Sequence, residues 1–277
     1  MSPSTRERER QTPADEALAQ HREELKKRFP LPAVQPRPKR RNATTLGALL
    51  VFAVGLAAWL DPAWRSEHYA TAIGQRQSLE LADGSRITLD GASRLEVSWH
   101  LRSRRVELQA GQALFDVTPA RHRPFRVTAG PAEVQVVGTR FNLDRQADDL
   151  RVTVSAGRVA VRGTADSTQL VAGDQVLVRA GQLEPKRQVD AERFSAWQNG
   201  RQVFQRTPLR EVLAALQRYR AAPIRLDDPA LAELPVSGVF DSREPERLLA
   251  LLPRILPVAL ATAPDGTLHL TAEGGQK

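Results

Sequence analysis

The stretch from Ala43 to Leu60, ATTLGALLVFAVGLAAWL, carries no charged residue over eighteen positions and constrains the chain more than any other. As a helix rising about 1.5 Å per residue it reaches roughly 27 Å, close to the ~30 Å of a bilayer's hydrocarbon core. Lys39, Arg40 and Arg41 stand before it, and Asp61, Pro62, Trp64 and Tyr69 follow. Basic flanks favour the cytoplasmic side and aromatic rings the interface, so a single-pass membrane protein with its N-terminus in the cytoplasm is expected. A buried core helix of this length would need a polar face or a partner helix, which the neighbouring prolines deny it. A secretory signal, the remaining alternative, would follow a short basic leader and precede a small-residue cleavage site, whereas 42 residues lie ahead of this stretch.

The net charge of +8 follows the same division: residues 1–42 hold 11 Lys and Arg against 6 Asp and Glu, leaving 29 against 26 for the rest. The excess lies where a cytoplasmic flank needs it, and the larger part lacks the charge of a polyanion groove, so no direct contact with nucleic acid is expected. Cysteine is absent, which removes disulfides, thiolate metal sites and cysteine nucleophiles.

Residues 1–42 read as a cytoplasmic segment. A polar tail ends at Thr12, which with Pro13 and Asp15 starts an amphipathic helix. Ala14, Leu18, Leu25 and Phe29 share one face; Glu23 with Lys27 and Glu24 with Arg28 make i,i+4 pairs on another. Pro30 ends the helix, and Pro32, Pro36 and Pro38 extend a stiff spacer toward the membrane helix at 43–60. Residues 69–183 alternate with period two between glycine breaks: SLELADGSRITLD across Asp83-Gly84, then RLEVSW, RVELQAGQALFDV, FRVTAGPAEVQVVGTRFNLD, LRVTVSAGRVAVRG and QLVAGDQVLVRAGQL. The expectation is an all-β periplasmic domain, a sandwich or a solenoid-like stack, with the repeated strand-turn units favouring the stack. After a polar joint at 184–192 the pattern changes. Residues 194–275 predict a small α+β domain of order β-α-β-β-α-β-β, its helices capped from Thr207-Pro208 and Ser242 and its last two strands joined at Asp265-Gly266.

LADGSRITLDGASRLEV, GQALFDV, RPFRVTAG, VVGTRFNL and VSAGRVAV resemble, in order and spacing, the FecR family of single-pass regulators in bacterial cell-surface signalling. FQRTPLREVLAALQRY and LPVSGVFDSREPERLLALL resemble the family's STN-like C-terminal module. The resemblance implies an inner-membrane regulator of an extracytoplasmic-function sigma factor. It would relay a periplasmic signal from the signalling domain of a TonB-dependent outer-membrane transducer, typically in iron-siderophore uptake. It implies a sigma-factor contact on the cytoplasmic side, for which Leu18, Leu25 and Phe29 are the candidates. On the periplasmic side Val236, Val239 and Phe240 are the candidates, by strand addition at an exposed edge. The departure from the family is at the cytoplasmic end, where members commonly carry a longer helical domain with characteristic tryptophans; none of these 42 residues is tryptophan. That departure keeps an alternative open, a membrane-anchored scaffold or adaptor without transcriptional output.

Turnover chemistry finds no constellation. His21, His68, His100, His122 and His269 form no pair at metal-ligand spacing, and neither a Gly-x-Ser-x-Gly elbow nor a phosphate loop is present, so no cofactor, metal or enzymatic activity is expected. The exception is the bond between Gly138 and Thr139, at which some FecR-like regulators cut themselves. A threonine hydroxyl can attack the preceding carbonyl of a strained peptide. The competing role for Gly138 is a bulge between Val137 and Phe141, both packed inward.

Overall fold

The computed structural model describes residues 13–29 and 41–274. The expected Thr12 cap, the proline spacer and the Lys39-Arg40 flank lie outside the described residues. The chain divides into two compact units, residues 1–55 and 56–277. Helix α1 spans Pro13–Arg28; Leu18 and Leu25 on it and Phe29 just after it are exposed, so the apolar stripe is unburied. Helix α2 spans Arg41–Leu60, and Leu49, Leu50, Val51, Phe52 and Val54 are all exposed. Among the described residues no helix is long and apolar enough to cross a membrane. The side chains of 41–46, 57 and 58 fall outside that set.

Fourteen strands follow: β1 (Arg65–Ala70), β2 (Gln77–Glu80), β3 (Arg86–Leu89), β4 (Arg94–Trp99), β5 (Arg104–Asp116), β6 (Phe125–Ala129), β7 (Ala132–Val136), β8 (Arg140–Gln146), β9 (Asp149–Ala156), β10 (Arg158–Arg162), β11 (Ser167–Val171), β12 (Asp174–Arg179), β13 (Gln182–Leu183) and β14 (Arg187–Gln188). They form two sheets, β1-β4-β5-β6-β7-β10-β11 and β2-β3-β5-β8-β9-β12, with β13 and β14 both on β12. Pairing is antiparallel except between β5 and β6. This is a sandwich. The solenoid-like stack favoured by the sequence pattern would pair successive rungs in parallel, and hairpins that fold back on themselves do not allow it. The domain also starts at Arg65, earlier than residue 69, and its last strand, β14, lies inside the expected joint at 184–192.

β5 belongs to both sheets: Arg104–Ala110 pairs with β4 and its far half with β3 and β8. The turn from one sheet to the other falls at Gly111, where φ is +86° and a Cβ would sit 2.6 Å from the Ser93 Cα. Only glycine fits there without displacing backbone. Between the sheets, Phe115 stacks on Phe141 at 4.9 Å and meets Phe125 edge-on at 6.1 Å, within a continuous core that includes Ile87, Leu108 and Leu143. Burying a side chain of this size contributes about 1.5–3 kcal/mol.

The C-terminal module begins with a 3-10 turn, Arg193–Asn199, then β15 (Arg201–Pro208), α3 (Leu209–Gln217), β16 (Ile224–Leu226), β17 (Pro235–Asp241), α4 (Pro245–Ile255), β18 (Val258–Thr262) and β19 (Leu268–Ala272). The order is the one the sequence predicts. Its sheets are β15-β17 and β16-β19-β18, and Leu209, Val212, Leu216, Leu248 and Leu252 pack between helices and strands. The caps differ from expectation. Neither helix has a side-chain cap: Thr207 accepts from the Gln205 amide, and Ser242 is buried beside Arg76.

Candidate functional site

The sandwich and the C-terminal module meet along a buried polar seam. The alternation of β8 shows where: Phe141 and Leu143 face the core, yet Asn142 and Asp144, on the other face, are buried as well. What covers them is the end of α3. Arg218, buried, forms an ion pair with Asp144 and donates from Nη1 to Gln112 Oε1 at 2.7 Å. Its carbonyl accepts from the Gly74 amide at 2.9 Å. Asn142 Oδ1 takes the Trp197 indole N–H at 3.0 Å and the Gln112 amide at 3.3 Å. Arg151 on β9 joins Asp144 at 3.6 Å and is hydrogen-bonded to Glu211 on α3. The residues are therefore one network drawn from three strands, β5, β8 and β9, with α3 and the 3-10 turn.

Electrostatics set the protonation states. Burial works against the Arg218 charge, but Asp144 and Asp90 outweigh it and hold the guanidinium firmly protonated. Asp90 takes the Tyr219 hydroxyl on Oδ1 at 2.6 Å while its Oδ2 is buried without a partner. Burial is the dominant influence and raises the Asp90 pKa. Burial, with the Asp90 charge and hydrogen bond, also raises that of Tyr219. A carboxylate with a raised folded pKa contributes stability that is fully present below the unfolded value of about 3.9 and lost as pH rises through the folded one. Asp90→Asn, which keeps an acceptor for Tyr219, should therefore gain stability relative to the parent as pH climbs from acid to neutral. A series of thermal melts, parent against variant, reads this difference.

Beside the seam lies an open cleft of about 390 Å3, lined by Arg151, Arg193, Phe194, Trp197 and Arg206 among others. Arg193 lies over the Phe194 ring at 4.5 Å. Among the described residues no group of three or more His, Asp or Glu is placed to hold a metal. The arrangement holds the sandwich and the C-terminal module in one geometry.

The residues expected from sequence are dispersed. Leu18 and Leu25 lie on α1, and Phe29 directly follows its last residue. On β17, Val236 is a core residue, 1% exposed, so it is not available to a partner; Phe240 is half-buried against Phe204 at 6.0 Å; Val239 alone is open, 55% exposed. The three do not share a face, because side chains alternate along a strand. Gly138 and Thr139 connect β7 to β8. Val137 is 42% exposed, contrary to the inward packing expected, while Phe141 is buried. Gly138 is where Pro119 crosses: a Cβ would lie 2.8 Å from the Pro119 Cα. Thr139 Oγ1 donates to the Arg158 carbonyl at 2.8 Å, and no described side chain is hydrogen-bonded to it as a base.

Sequence reasoning missed Arg218, Asp144, Gln112 and Asp90. The available signal was Tyr219, which ends FQRTPLREVLAALQRY and whose hydroxyl needs a partner when buried.

Comparison with known proteins finds likeness over part of the chain and in fold. Residues 67–160, from β1 into β10, match a family model described as FecR protein. The chain is similar in fold to two crystal structures, at 1.65 and 2.50 Å resolution, described as a putative anti-sigma factor from Parabacteroides distasonis ATCC 8503. Each is 24% identical with a TM-score of 0.68; 74% and 75% of this chain are covered, against 99% of theirs. No match was found among curated proteins.

Proposed function

We propose that the protein is a membrane-anchored regulator of an extracytoplasmic-function sigma factor. The observation that carries this reading is the FecR match over residues 67–160, supported by the likeness to a structure described as a putative anti-sigma factor. In this reading α2 spans the inner membrane, with α1 in the cytoplasm and residues 61–274 in the periplasm. At 20 residues α2 has a helical length of about 30 Å, comparable with a bilayer's hydrocarbon core, and its described side chains from 47 to 56 are exposed and free of charge. The module from 194 to 275 serves as an STN-like receiver for the signalling domain of a TonB-dependent transducer, in iron-siderophore uptake. Its docking edge is β17, which pairs only with β15 among the described strands and presents Val239. The sandwich carries the signal because the Arg218 seam couples module and sandwich.

On the cytoplasmic side, Leu18, Leu25 and Phe29 form the apolar stripe that enters a groove of the sigma factor. Each is more than half exposed and has nothing to gain from burial until a partner arrives. The test is co-purification of the full chain with an extracytoplasmic-function sigma factor of the same genome, co-expressed with it. Leu18→Asp with Leu25→Asp is expected to reduce recovery at least tenfold, since losing two anchors of about 1.5 kcal/mol each exceeds the 1.4 kcal/mol of a decade. Undiminished recovery would contradict the assignment, and a chain that retains no sigma factor in any form would favour the scaffold.

A further inference from the structure

An unassigned surface lies where the chain leaves α2. Asp61, the next residue, is buried with φ at +44°. Its carboxylate accepts from the Arg102 amide at 3.1 Å and the Ser103 hydroxyl at 3.2 Å, and its carbonyl oxygen lies 2.6 Å from His100 Nδ1. The Trp64 amide donates to the Trp99 carbonyl at 3.0 Å. The turn between β4 and β5, residues 100–103, is thus fastened to the first residue beyond the helix. Arg123 Nη2 donates to the His100 carbonyl at 2.7 Å, which brings the loop before β6 to the same end.

This end presents apolar groups that the fold leaves open. Leu101 is 66% exposed at the tip of the turn and Trp64 is 63% exposed. Arg65 and Arg102 are their neighbours in sequence, Arg105 lies 3.7 Å from Asp61, and Arg121 is on the loop before β6; all four are exposed. The nearby carboxylates are engaged inward: Asp61 as described, and Glu67 by Arg65 at 2.8 Å, by the Tyr69 hydroxyl and by the Trp99 indole at 3.3 Å. An apolar tip with four exposed arginines at the same end, against two carboxylates that are already paired with Arg65 and Arg105, has the composition of a surface that meets lipid headgroups. Tryptophan and leucine enter the interface while arginines reach phosphates.

We propose that this end of the sandwich, Trp64 and Leu101 with Arg65, Arg102, Arg105 and Arg121, docks on an anionic lipid bilayer. The proposal rests on the reading of α2 as a membrane span. Chain continuity selects the occupant: a span ending at Leu60 delivers Asp61 to the headgroup layer, and the turn bonded to Asp61 arrives with it. β4, six residues or about 20 Å long, then leads from the membrane to Arg94, beside the Ser93–Gly111 contact and the Gln112 end of the seam. Docking would therefore hold the receiving module at the far end of an upright sandwich.

The chain contains no cysteine, so single substitutions can carry an environment-sensitive label. Full-length Val51→Cys, Leu101→Cys and Ile255→Cys, labelled and reconstituted in vesicles of phosphatidylcholine and phosphatidylglycerol, are read by brominated-lipid quenching. Labels at 51 and 101 should be quenched and that at 255 should not. Omitting phosphatidylglycerol should reduce quenching at 101 by roughly twofold or more and leave 51 unchanged. Quenching at 51 without quenching at 101 overturns the docking and leaves the span standing. Absence at both overturns the span itself. A disulfide between two Leu101→Cys chains in place of lipid quenching assigns the face to a second copy and also overturns the proposal.

Discussion

Replacing Arg218 with alanine should separate one cooperative unfolding transition into two, at a cost of about 3–5 kcal/mol to the C-terminal module. The substitution leaves Asp144 buried with only Arg151, at 3.6 Å, to balance it, and removes the donor to Gln112. Most of the cost is the stranded carboxylate rather than the lost attraction, because a charge taken from water is stabilised only by its partner. Two further variants distinguish this origin from simple loss of packing. Arg218→Lys keeps the charge but cannot offer two donors in a fork, so it should fall between the parent and alanine. Pairing Arg218→Met with Asp144→Leu removes both charges and should restore much of the single variant's loss. Calorimetry of the full chain in detergent reads all three. A single transition at the parent's midpoint in Arg218→Ala would show that the modules are joined by something else.

Asp83→Ala should be comparably damaging, again about 3–5 kcal/mol, and its effect should lie wholly in the sandwich. Its partner Arg104 opens β5, is 2% exposed, and also donates to the carbonyls of Arg123 at 3.0 Å and Thr118 at 3.1 Å. Its guanidinium lies 5.3 Å from the Phe125 ring centroid. One buried cation thus fastens the turn at Asp83-Gly84 and the loop before β6 to the central strand. Burial opposes the Asp83 charge, but Arg104 and the donors of Ser85 outweigh it and lower its pKa. A depressed carboxylate contributes stability above its unfolded pKa, about 3.9, and loses it as pH falls through the folded value. The loss from Asp83→Ala, measured as the shift in urea midpoint, should accordingly shrink below about pH 4. This slope is opposite in sign to that of Asp90, so the two sites can be told apart by pH alone.

The sequence made the elements legible, and tertiary cover made the site illegible. Glycine breaks and period-two runs located β2 to β12 because each strand faces a core on one side, as in the Arg158–Arg162 run with Val159 and Val161 inward. The Thr207-Pro208 start located α3, whose Leu209, Val212 and Leu216 are buried. β1 was missed because RSEHYA has little alternation to read; it pairs with β4 at a sheet edge. The choice of stack over sandwich failed because strand-turn repetition is common to both, and only the pairing of β5 with four strands separates them. The seam stayed hidden because Asn142 and Asp144 occupy the polar phase of β8. A polar residue on that phase reads as solvated until a second module is known to cover it. The exposure of Val239 and the burial of Val236 likewise depend on register with β15, which short-range pattern does not carry.

The central claim is that the periplasmic fold controls transcription through the cytoplasmic segment ahead of α2. Sigma-dependent transcript levels in a strain whose chain lacks residues 1–42, compared with a strain lacking the gene, test it most directly. The account predicts that both strains lose the same signal response at the same promoters. A truncated chain that retains the full response, with the gene deletion losing it, would contradict the account.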